Sequence, residues 1–332
     1  MKALTIRQPN QVDVRDVPVP AVGPGEVLVK VAACGICGTD VHILRGEYLG
    51  SYPVVPGHEF AGEVVAVGED VGRITVGMRV AVEPNIACDN CASCLSNRQN
   101  FCLNWQAVGV TRPGGMAEYV VAPEKAVFDV GDLSFEAAAF VEPLSCVIHG
   151  IERAEIRLAD RIAILGAGPI GLLLLQVARQ SGAGDVTVLE RQSTRGELAL
   201  SLGATRWLED LTALPENTFD VVIDATGVPP VMAQTAGLSR PGGTILLFGV
   251  PPQGAELTLD AFAIFEKGLT LRSSFTSLRN SRQAVAMLQS GQVRVADLVS
   301  HRLPLTDFAR GVEMIESGLD GVKKVLMVPT AS

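Results

Sequence analysis

A chain of 332 residues exceeds one ordinary domain, and two is the natural reading. With 48% hydrophobic and 19% charged residues it has the means to build large cores, which excludes a disordered chain. A formal net charge of −9 excludes the usual nucleic-acid binder, whose Lys and Arg must displace counterions. From Met1 to about Pro143, short β-branched runs alternate with Gly and Pro. Val27-Leu-Val-Lys-Val, Gly62-Glu-Val-Val-Ala-Val-Gly and Arg79-Val-Ala-Val read as strands, with Pro18, Pro20 and Pro24 in the loop before them. This is the pattern of an all-β, barrel-like domain with few long helices. Near Leu144 the period changes. Arg161-Ile-Ala-Ile-Leu-Gly reads as a buried strand, followed by a helix from about Pro169 to Ser181 and a strand Asp185-Val-Thr-Val-Leu-Glu190. A helix from Thr194 to Leu202 then closes at Gly203. Strands at Val221-Val-Ile-Asp-Ala and Gly243-Thr-Ile-Leu-Leu-Phe-Gly extend an alternation that means a parallel, doubly wound sheet. A helix near Ser281–Gln289 and strands near Leu303 and Lys324 are too little for a third domain and are expected to return to the first. The domains are therefore expected at 1–145 with 277–332, and at 146–276.

The apolar run around Gly171-Leu-Leu-Leu-Leu is too short to cross a bilayer. The N-terminus lacks the charged start, apolar core and cleavage site of a signal peptide. A cytoplasmic protein with no membrane partner is expected. Its seven cysteines then read as thiolates or metal ligands rather than disulfides.

Gly166-Ala-Gly168-Pro169-Ile170-Gly171 falls between a predicted strand and a predicted helix. The first glycine permits a tight turn, the second lets the backbone approach a pyrophosphate, and the third lets helix pack on sheet. The helix N-terminus adds an anion site. Glu190, at the tip of the next strand, is placed to accept hydrogen bonds from the adenine ribose and to repel a 2′-phosphate. The cofactor is therefore expected to be NAD rather than NADP, with Arg191 and Arg195 the two guanidinium groups that argue the other way.

Cys88-x2-Cys91-x2-Cys94-x7-Cys102 is the most specific pattern in the chain. Four thiolates, the first three in one tight turn, fit the closed tetrahedral sphere of a structural zinc. Asp89, Asn90, Ser93 and Asn97 are residues that let a loop wrap an ion. Iron–sulfur ligation uses similar short spacings, but four filled positions beside a dinucleotide fold favour zinc. Such a lobe stabilises and does no chemistry.

Cys37, His58 and Glu142 remain as candidates for a mixed site of sulfur, nitrogen and oxygen donors, and spacing alone does not assemble them. Cys37-Gly-Thr-Asp-Val-His42 and Gly57-His58-Glu59 read as loops of the β domain, with Glu142-Pro-Leu-Ser at the domain junction. Gly35-Ile-Cys37-Gly-Thr-Asp40, Gly57-His-Glu-Phe60, the four-cysteine lobe and Glu142-Pro-Leu-Ser145 together resemble the zinc-containing medium-chain dehydrogenases, over essentially the whole chain. The likeness is greatest to the polyol branch (sorbitol and arabitol dehydrogenases), with threonine dehydrogenases close by. It implies a GroES-like β-barrel catalytic domain, a Rossmann domain, and two zinc ions per subunit, one catalytic and one structural.

On that pattern Cys37 and His58 are catalytic zinc ligands. Glu142 holds the third ligand position, where the resemblance implies cysteine in other alcohol dehydrogenases of the family and glutamate in the polyol branch. Glu59 lies next to the metal and can itself be the ligand while Glu142 holds the zinc-bound water, so both carboxylates stand as candidates. Asp40 orients the ligand imidazole. Thr39 takes the substrate proton, and a relay runs from there through the nicotinamide ribose to His42 and solvent. Cys146 packs beside the nicotinamide; Ala225, Thr226, Val250 and Phe275 are further expected cofactor contacts, and Trp105 and Phe275 candidates to line the substrate cleft. The implied chemistry is Lewis-acid activation of an alcohol by zinc and hydride transfer to C4 of NAD⁺. A carboxylate in place of a second thiolate makes a harder site, hospitable to the vicinal hydroxyls of a polyol. Met78 departs from the resemblance, standing where relatives place aspartate in a turn.

The expected activity is oxidation of a polyol or secondary alcohol to a ketone, in a cleft between the domains, by a homodimer or homotetramer. A threonine-type or sugar-phosphate dehydrogenase on the same scaffold is the rival among enzymes, with Arg45, Arg73, Arg112 and Arg279 as possible phosphate contacts. A non-catalytic dinucleotide sensor is the rival of another class, and the full set of zinc-binding residues counts against it. Cys34 reads as a buried small apolar residue, and His149 and His301 as structural.

Overall fold

The strand Glu26–Gly35 shows why the β-branched runs matter: Val27, Val29 and Val31 are fully buried, and the strand pairs on both edges. It runs antiparallel to Glu59–Val67 on one side and to Tyr119–Pro123 on the other. The computed structural model describes residues 1–47, 51–318 and 321–329. In the resulting seven-stranded sheet the order is Val299–Leu303, Lys324–Met327, Glu26–Gly35, Glu59–Val67, Arg79–Val82, Val127–Asp129, with Tyr119–Pro123 against the central strand. Phe60, Val64, Val80, Val120, Phe308 and Met327 fill its core. Burying each such side chain contributes about 1.5–3 kcal/mol.

Two units emerge from the chain's own contacts: Met1–Ser145 with Ser277–Gly291 and Val295–Ser332, and Cys146–Thr276 with Gln292–Arg294. The expected range 277–332 includes 319–320 and 330–332, which lie outside the described residues, as do 48–50 of the first segment. Within 277–332, Gln292–Arg294 joins the second unit instead. There Gln176 Nε2 donates to the Arg294 carbonyl at 3.0 Å and Arg294 N returns a bond to Gln176 Oε1 at 2.7 Å. In the first unit, buried Glu83 ties the returning chain to the barrel strands. Its Oε2 accepts Ser277 and Ser281 hydroxyls at 2.7 and 2.6 Å and the Ser145 hydroxyl at 3.3 Å. Oε1 accepts from Asn85 N and Nδ2.

The second unit holds a six-stranded, wholly parallel sheet in the order Arg206–Leu208, Asp185–Leu189, Arg161–Leu165, Phe219–Asp224, Ser239–Leu247, Thr270–Ser273. This is the doubly wound order in which the first strand lies at the centre. Ile162–Leu165 are buried on both faces, as parallel strands covered by helices must be. Leu172–Leu175 are buried in helix Pro169–Gln180, which accounts for the apolar run. Among the described residues, no helix is long and apolar enough to cross a membrane.

Two local expectations are corrected, and one element the sequence reading did not name is added. Residues after Cys37 are not a loop but the helix Gly38–Arg45. Cys37 is its N-cap and Asp40 accepts the Cys37 N–H at 2.9 Å, one half of a capping box, while Val41 and Ile43 are buried. Residues Val141–Ala154 form a helix that spacing did not disclose, because Pro143 within its first turn reads as a break although the first turn tolerates proline. The strand expected to begin at Gly243 begins at Ser239. At the unusual turn residue, Met78 Sδ accepts the Thr75 N–H at 3.4 Å, so the thioether takes an acceptor's place.

Candidate functional site

Cys37 stands where strand Glu26–Gly35 gives way to helix Gly38–Arg45, and Glu59 is the first residue of its partner strand Glu59–Val67. Antiparallel register places Gly35 opposite Glu59, which brings Cys37, His58 and Glu59 together. One donor atom from each of the three lies within 4.8 Å of the others. That group does not extend to Glu142, which is buried in the first turn of Val141–Ala154. Asp40, fully buried, accepts Cys37 N at 2.9 Å and Gly57 N at 3.1 Å, fastening the two ligand-bearing segments to each other. His58 Nδ1 lies 3.6 Å from Asp40 Oδ1, too far for a hydrogen bond, and is a buried nitrogen with no hydrogen-bond partner among the described residues. A buried imidazole left in that state fits a metal ligand. Burial works to lower the His58 pKa, but the Asp40 carboxylate and the Cys37 sulfur outweigh it and hold it well above the ordinary value.

Lys324 is the functional residue that sequence reasoning missed. From the C-terminal strand Lys324–Met327 its buried ammonium pairs with Glu59 Oε2 and donates to the Ile36 carbonyl at 3.0 Å. Burial works to lower its pKa, yet Glu59 and Cys37 raise it, so the side chain is a cation. A Cβ at Gly35 would collide with Glu59 Oε2 and sit 2.6 Å from Lys324 Cε, which explains the glycine in the motif. No local pattern around Lys324 announces this contact.

Thr39 is half-buried in the first turn of Gly38–Arg45, and His42 follows one turn later on the same face. His42 Nδ1 lies 3.0 Å from Glu47 Oε2. Cys34 is buried, as a small apolar core residue would be, and burial pushes its thiol well above the ordinary value. Trp105 donates its indole N–H to Asn85 Oδ1 at 3.0 Å.

In the lobe, Cys91 and Cys94 sulfurs are 3.5 Å apart, and the Cys88–Cys94 and Cys91–Cys102 pairs are 4.0 Å apart. A tetrahedral ion with Zn–S bonds of about 2.3 Å needs S···S separations near 3.8 Å. Asp89 and Asn97 adopt positive φ, the turn chemistry that wraps the loop. Backbone N–H groups of Cys88 and Asn104 point at Cys102 Sγ, and that of Leu103 at Cys91 Sγ. Hydrogen bonds, first from the Asn90 backbone, bring Cys88 down to about 6, while burial and neighbouring sulfurs push Cys94 up to about 12.

In the second unit Gly166 has φ of 100°, and a Cβ on Gly171 would overlap the Gly166 carbonyl oxygen. A Cβ on Gly168 would meet nothing within 4 Å, so the backbone at the helix N-terminus faces open space. Glu190, with its side chain 10% exposed, accepts Ala167 N at 2.9 Å and Gln192 N at 3.0 Å, and the Arg195 guanidinium lies 4.0 Å away. Ala225 and Thr226 flank the Gly166 turn, and Thr226 Oγ1 donates to Asp224 Oδ1 at 2.6 Å. Val250 and Phe275 are exposed. Cys146 lies on helix Val141–Ala154 at the first position of this unit.

The arginines weighed as phosphate contacts are engaged elsewhere. Arg45 pairs with Glu316, Arg112 with Glu26 and Arg279 with Asp89, while Arg73 donates to the Glu124 carbonyl. A cavity of about 710 Å³ in the first unit is lined by Glu83, Asp89, Lys125 and Arg279, where Asp89 bridges the two cations.

Comparison with known proteins bears on the same two regions. The family described as "Alcohol dehydrogenase GroES-like domain" matches residues 23–132, and "Zinc-binding dehydrogenase" matches residues 169–290. The chain is 38% identical over 314 residues to D-altritol 5-dehydrogenase of Agrobacterium fabrum, covering 92% of this chain and 94% of that protein. D-arabinitol dehydrogenase 1 of Uromyces fabae is 33% identical over 329 residues, covering 96% of this chain and 94% of that one. Among solved structures, a zinc-binding dehydrogenase of Sinorhizobium meliloti 1021 bound to NADP is similar with a TM-score of 0.95 at 37% identity, over 99% of each chain.

Proposed function

The chain belongs to the zinc-binding alcohol dehydrogenases with a GroES-like domain, and from that premise we propose that it oxidises a secondary hydroxyl of a polyol to a ketone with NAD⁺ as hydride acceptor. The single observation that carries this reading is the convergence of one donor atom each from Cys37, His58 and Glu59 within 4.8 Å of one another. Zinc held there supplies Lewis acidity to an alcohol oxygen, and a bound nicotinamide supplies the hydride acceptor. Cys37, His58 and Glu59 would hold the metal, and Asp40 keeps their two segments in register. Lys324 balances the second negative charge that a thiolate and a carboxylate bring to one buried site. Glu142 is the alternative carboxylate, buried and one residue past the start of its helix. Thr39 Oγ1 would take the substrate proton while handing on its own, through the nicotinamide ribose, to His42, which is braced by Glu47 and would release a proton to solvent.

Cys88, Cys91, Cys94 and Cys102 hold the structural zinc. Gly166, Gly168, Pro169, Ile170 and Gly171 bind the pyrophosphate, and Glu190 takes the adenine ribose hydroxyls, with Ala225, Thr226, Val250 and Phe275 as further contacts. Arg195 is turned toward Glu190, which supports NAD over NADP. The similarity to altritol and arabinitol dehydrogenases and the engaged arginines support an uncharged polyol over a sugar phosphate. Exposed Phe262 and Phe265, ring centroids 6.4 Å apart, precede the outermost strand Thr270–Ser273 and support assembly of like subunits through that edge.

The test is the appearance of reduced nicotinamide over a panel of polyols, simple alcohols, threonine and sugar phosphates, with NAD⁺ and NADP⁺, before and after chelation. Chelator-sensitive turnover of one or more polyols with NAD⁺ is expected. Turnover of threonine or sugar phosphates alone would overturn the substrate class.

A further inference from the structure

Trp207 stands in the short strand Arg206–Leu208, at one edge of the six-stranded sheet and parallel to Asp185–Leu189. A three-residue edge strand offers an indole little to pack on, yet this one is half-buried. Its seat is Gly196, inside the helix Ser193–Ser201, where a Cβ would overlap the indole at Cε2, Cδ2 and Nε1. Glycine weakens a helix interior relative to alanine, so this helix gives up stability where the ring must lie.

From that seat the indole Nε1 donates to the Glu190 carbonyl at 2.8 Å. Glu190 N donates to the Leu208 carbonyl at 2.9 Å, so both main-chain polar groups of Glu190 are bound to the edge strand. With the backbone fixed, the carboxylate is directed toward the glycine turn, where Ala167 N holds Oε2, while Gln192 N, two residues on, holds Oε1. Arg195 immediately precedes Gly196, and its guanidinium, 16% exposed, lies 4.0 Å from Glu190 Oε2. The same ring-on-glycine contact therefore sets both the anion and the cation of the pair.

We propose that Trp207 is the positioning residue for dinucleotide discrimination, its indole holding Glu190 and Arg195 in the placement that favours a ribose 2′-hydroxyl over a 2′-phosphate. This rests on the reading of Glu190 as the ribose contact. A carboxylate rejects a phosphate only while it cannot turn aside, and a guanidinium welcomes one once it is released from its carboxylate. Loosening the indole does both.

The test titrates NADH and NADPH separately, by nicotinamide fluorescence, against the full zinc-loaded chain and four variants. Trp207→Phe deletes the N–H donor while keeping an aromatic ring on Gly196, and Gly196→Ala lifts the ring from its seat. Each is expected to narrow the NADPH-to-NADH ratio of Kd by about five-fold, the worth of one hydrogen bond. Arg206→Ala, which removes an exposed ion pair to Asp185 from the same strand, is expected to leave that ratio unchanged even where melting falls. Glu190→Ala examines the underlying reading and is expected to narrow the ratio at least as far. A narrowed ratio in Glu190→Ala, with no change in either Trp207→Phe or Gly196→Ala, would overturn the role of Trp207 and leave that of Glu190 standing. An unchanged ratio in Glu190→Ala would take both down. A shift in Arg206→Ala equal to that in Trp207→Phe would reduce the indole to general support of the strand.

Discussion

The two metal-binding groups of the first unit are built on opposite plans. The lobe takes every donor from residues 88–102, and its backbone N–H groups satisfy the sulfurs from within the same loop. The Cys37–His58–Glu59 group takes donors from two paired strands and their flanks, and its counter-charge from Lys324 at the other end of the chain. A site that closes within one loop announces itself by spacing and stabilises that loop. A site assembled across a sheet depends on register, glycine clearance and a distant cation, and it is the one to which we assign the chemistry.

Replacing one donor in each group separates the plans most widely. Cys37→Ser should lower kcat on the order of 10³-fold, the loss of several kcal/mol of Lewis-acid stabilisation, with little change in Tm. Cys94→Ser should instead lower Tm by roughly 10 °C, while molecules still folded at low temperature keep most of their kcat. Melting curves and turnover measured on the same preparations decide it; an inactive but fully stable Cys94→Ser protein would erase the distinction.

The distant cation sharpens the comparison next. In the zinc-free protein Lys324→Met leaves Glu59 as a buried, uncompensated carboxylate and should destabilise by about 3–5 kcal/mol. Adding Glu59→Gln should restore most of that in denaturant unfolding, since the remaining partner no longer carries charge. If the double variant is no more stable than the single, Lys324 acts by packing alone. A smaller effect is expected at Glu83, which accepts from three serine hydroxyls and Asn85. Glu83→Leu strands those donors and should cost about 3 kcal/mol, read from the same unfolding curves.

The smallest effect is one of pH in the lobe. With the zinc removed, Cys88, held down to about 6 first by the Asn90 backbone, should be mostly thiolate above that pH. Cys94, pushed up to about 12 by burial and the neighbouring sulfurs, should stay a thiol at neutrality once the zinc is removed. Because the thiolate is the reactive form, alkylation of Cys88 after chelation should rise with pH to half its maximum near pH 6. Cys94 should remain unlabelled at pH 7, and peptide mapping that finds Cys94 modified first would reverse the assignment.

How much of this was legible from the chain follows the same division. The parallel sheet was legible because fully buried strands such as Ile162–Leu165 and the Gly166–Gly171 turn carry their signals locally. The helix Val141–Ala154 was not, because Pro143 reads as a break unless the first turn is known to hold it. Cys37, His58 and both carboxylates were named, but the register that gathers Glu59 with Cys37 and His58 is a property of strand pairing, which no spacing encodes. The helix Gly38–Arg45 was read as loop because a cysteine N-cap lies outside the usual Ser, Thr, Asp and Asn signal. Lys324 and Trp207 act through contacts with distant or turn-separated residues, and neither carries a motif.

The central claim is that the chain holds two zinc ions, at two independent groups, and works with one of them. Zinc counted per chain by elemental analysis in the natural protein, Cys37→Ser and Cys94→Ser tests it most directly. Two ions are expected in the first and one in each variant, with turnover lost in step with the Cys37 ion. A Cys37→Ser protein that still holds two zinc ions and turns over at the natural rate would contradict the account.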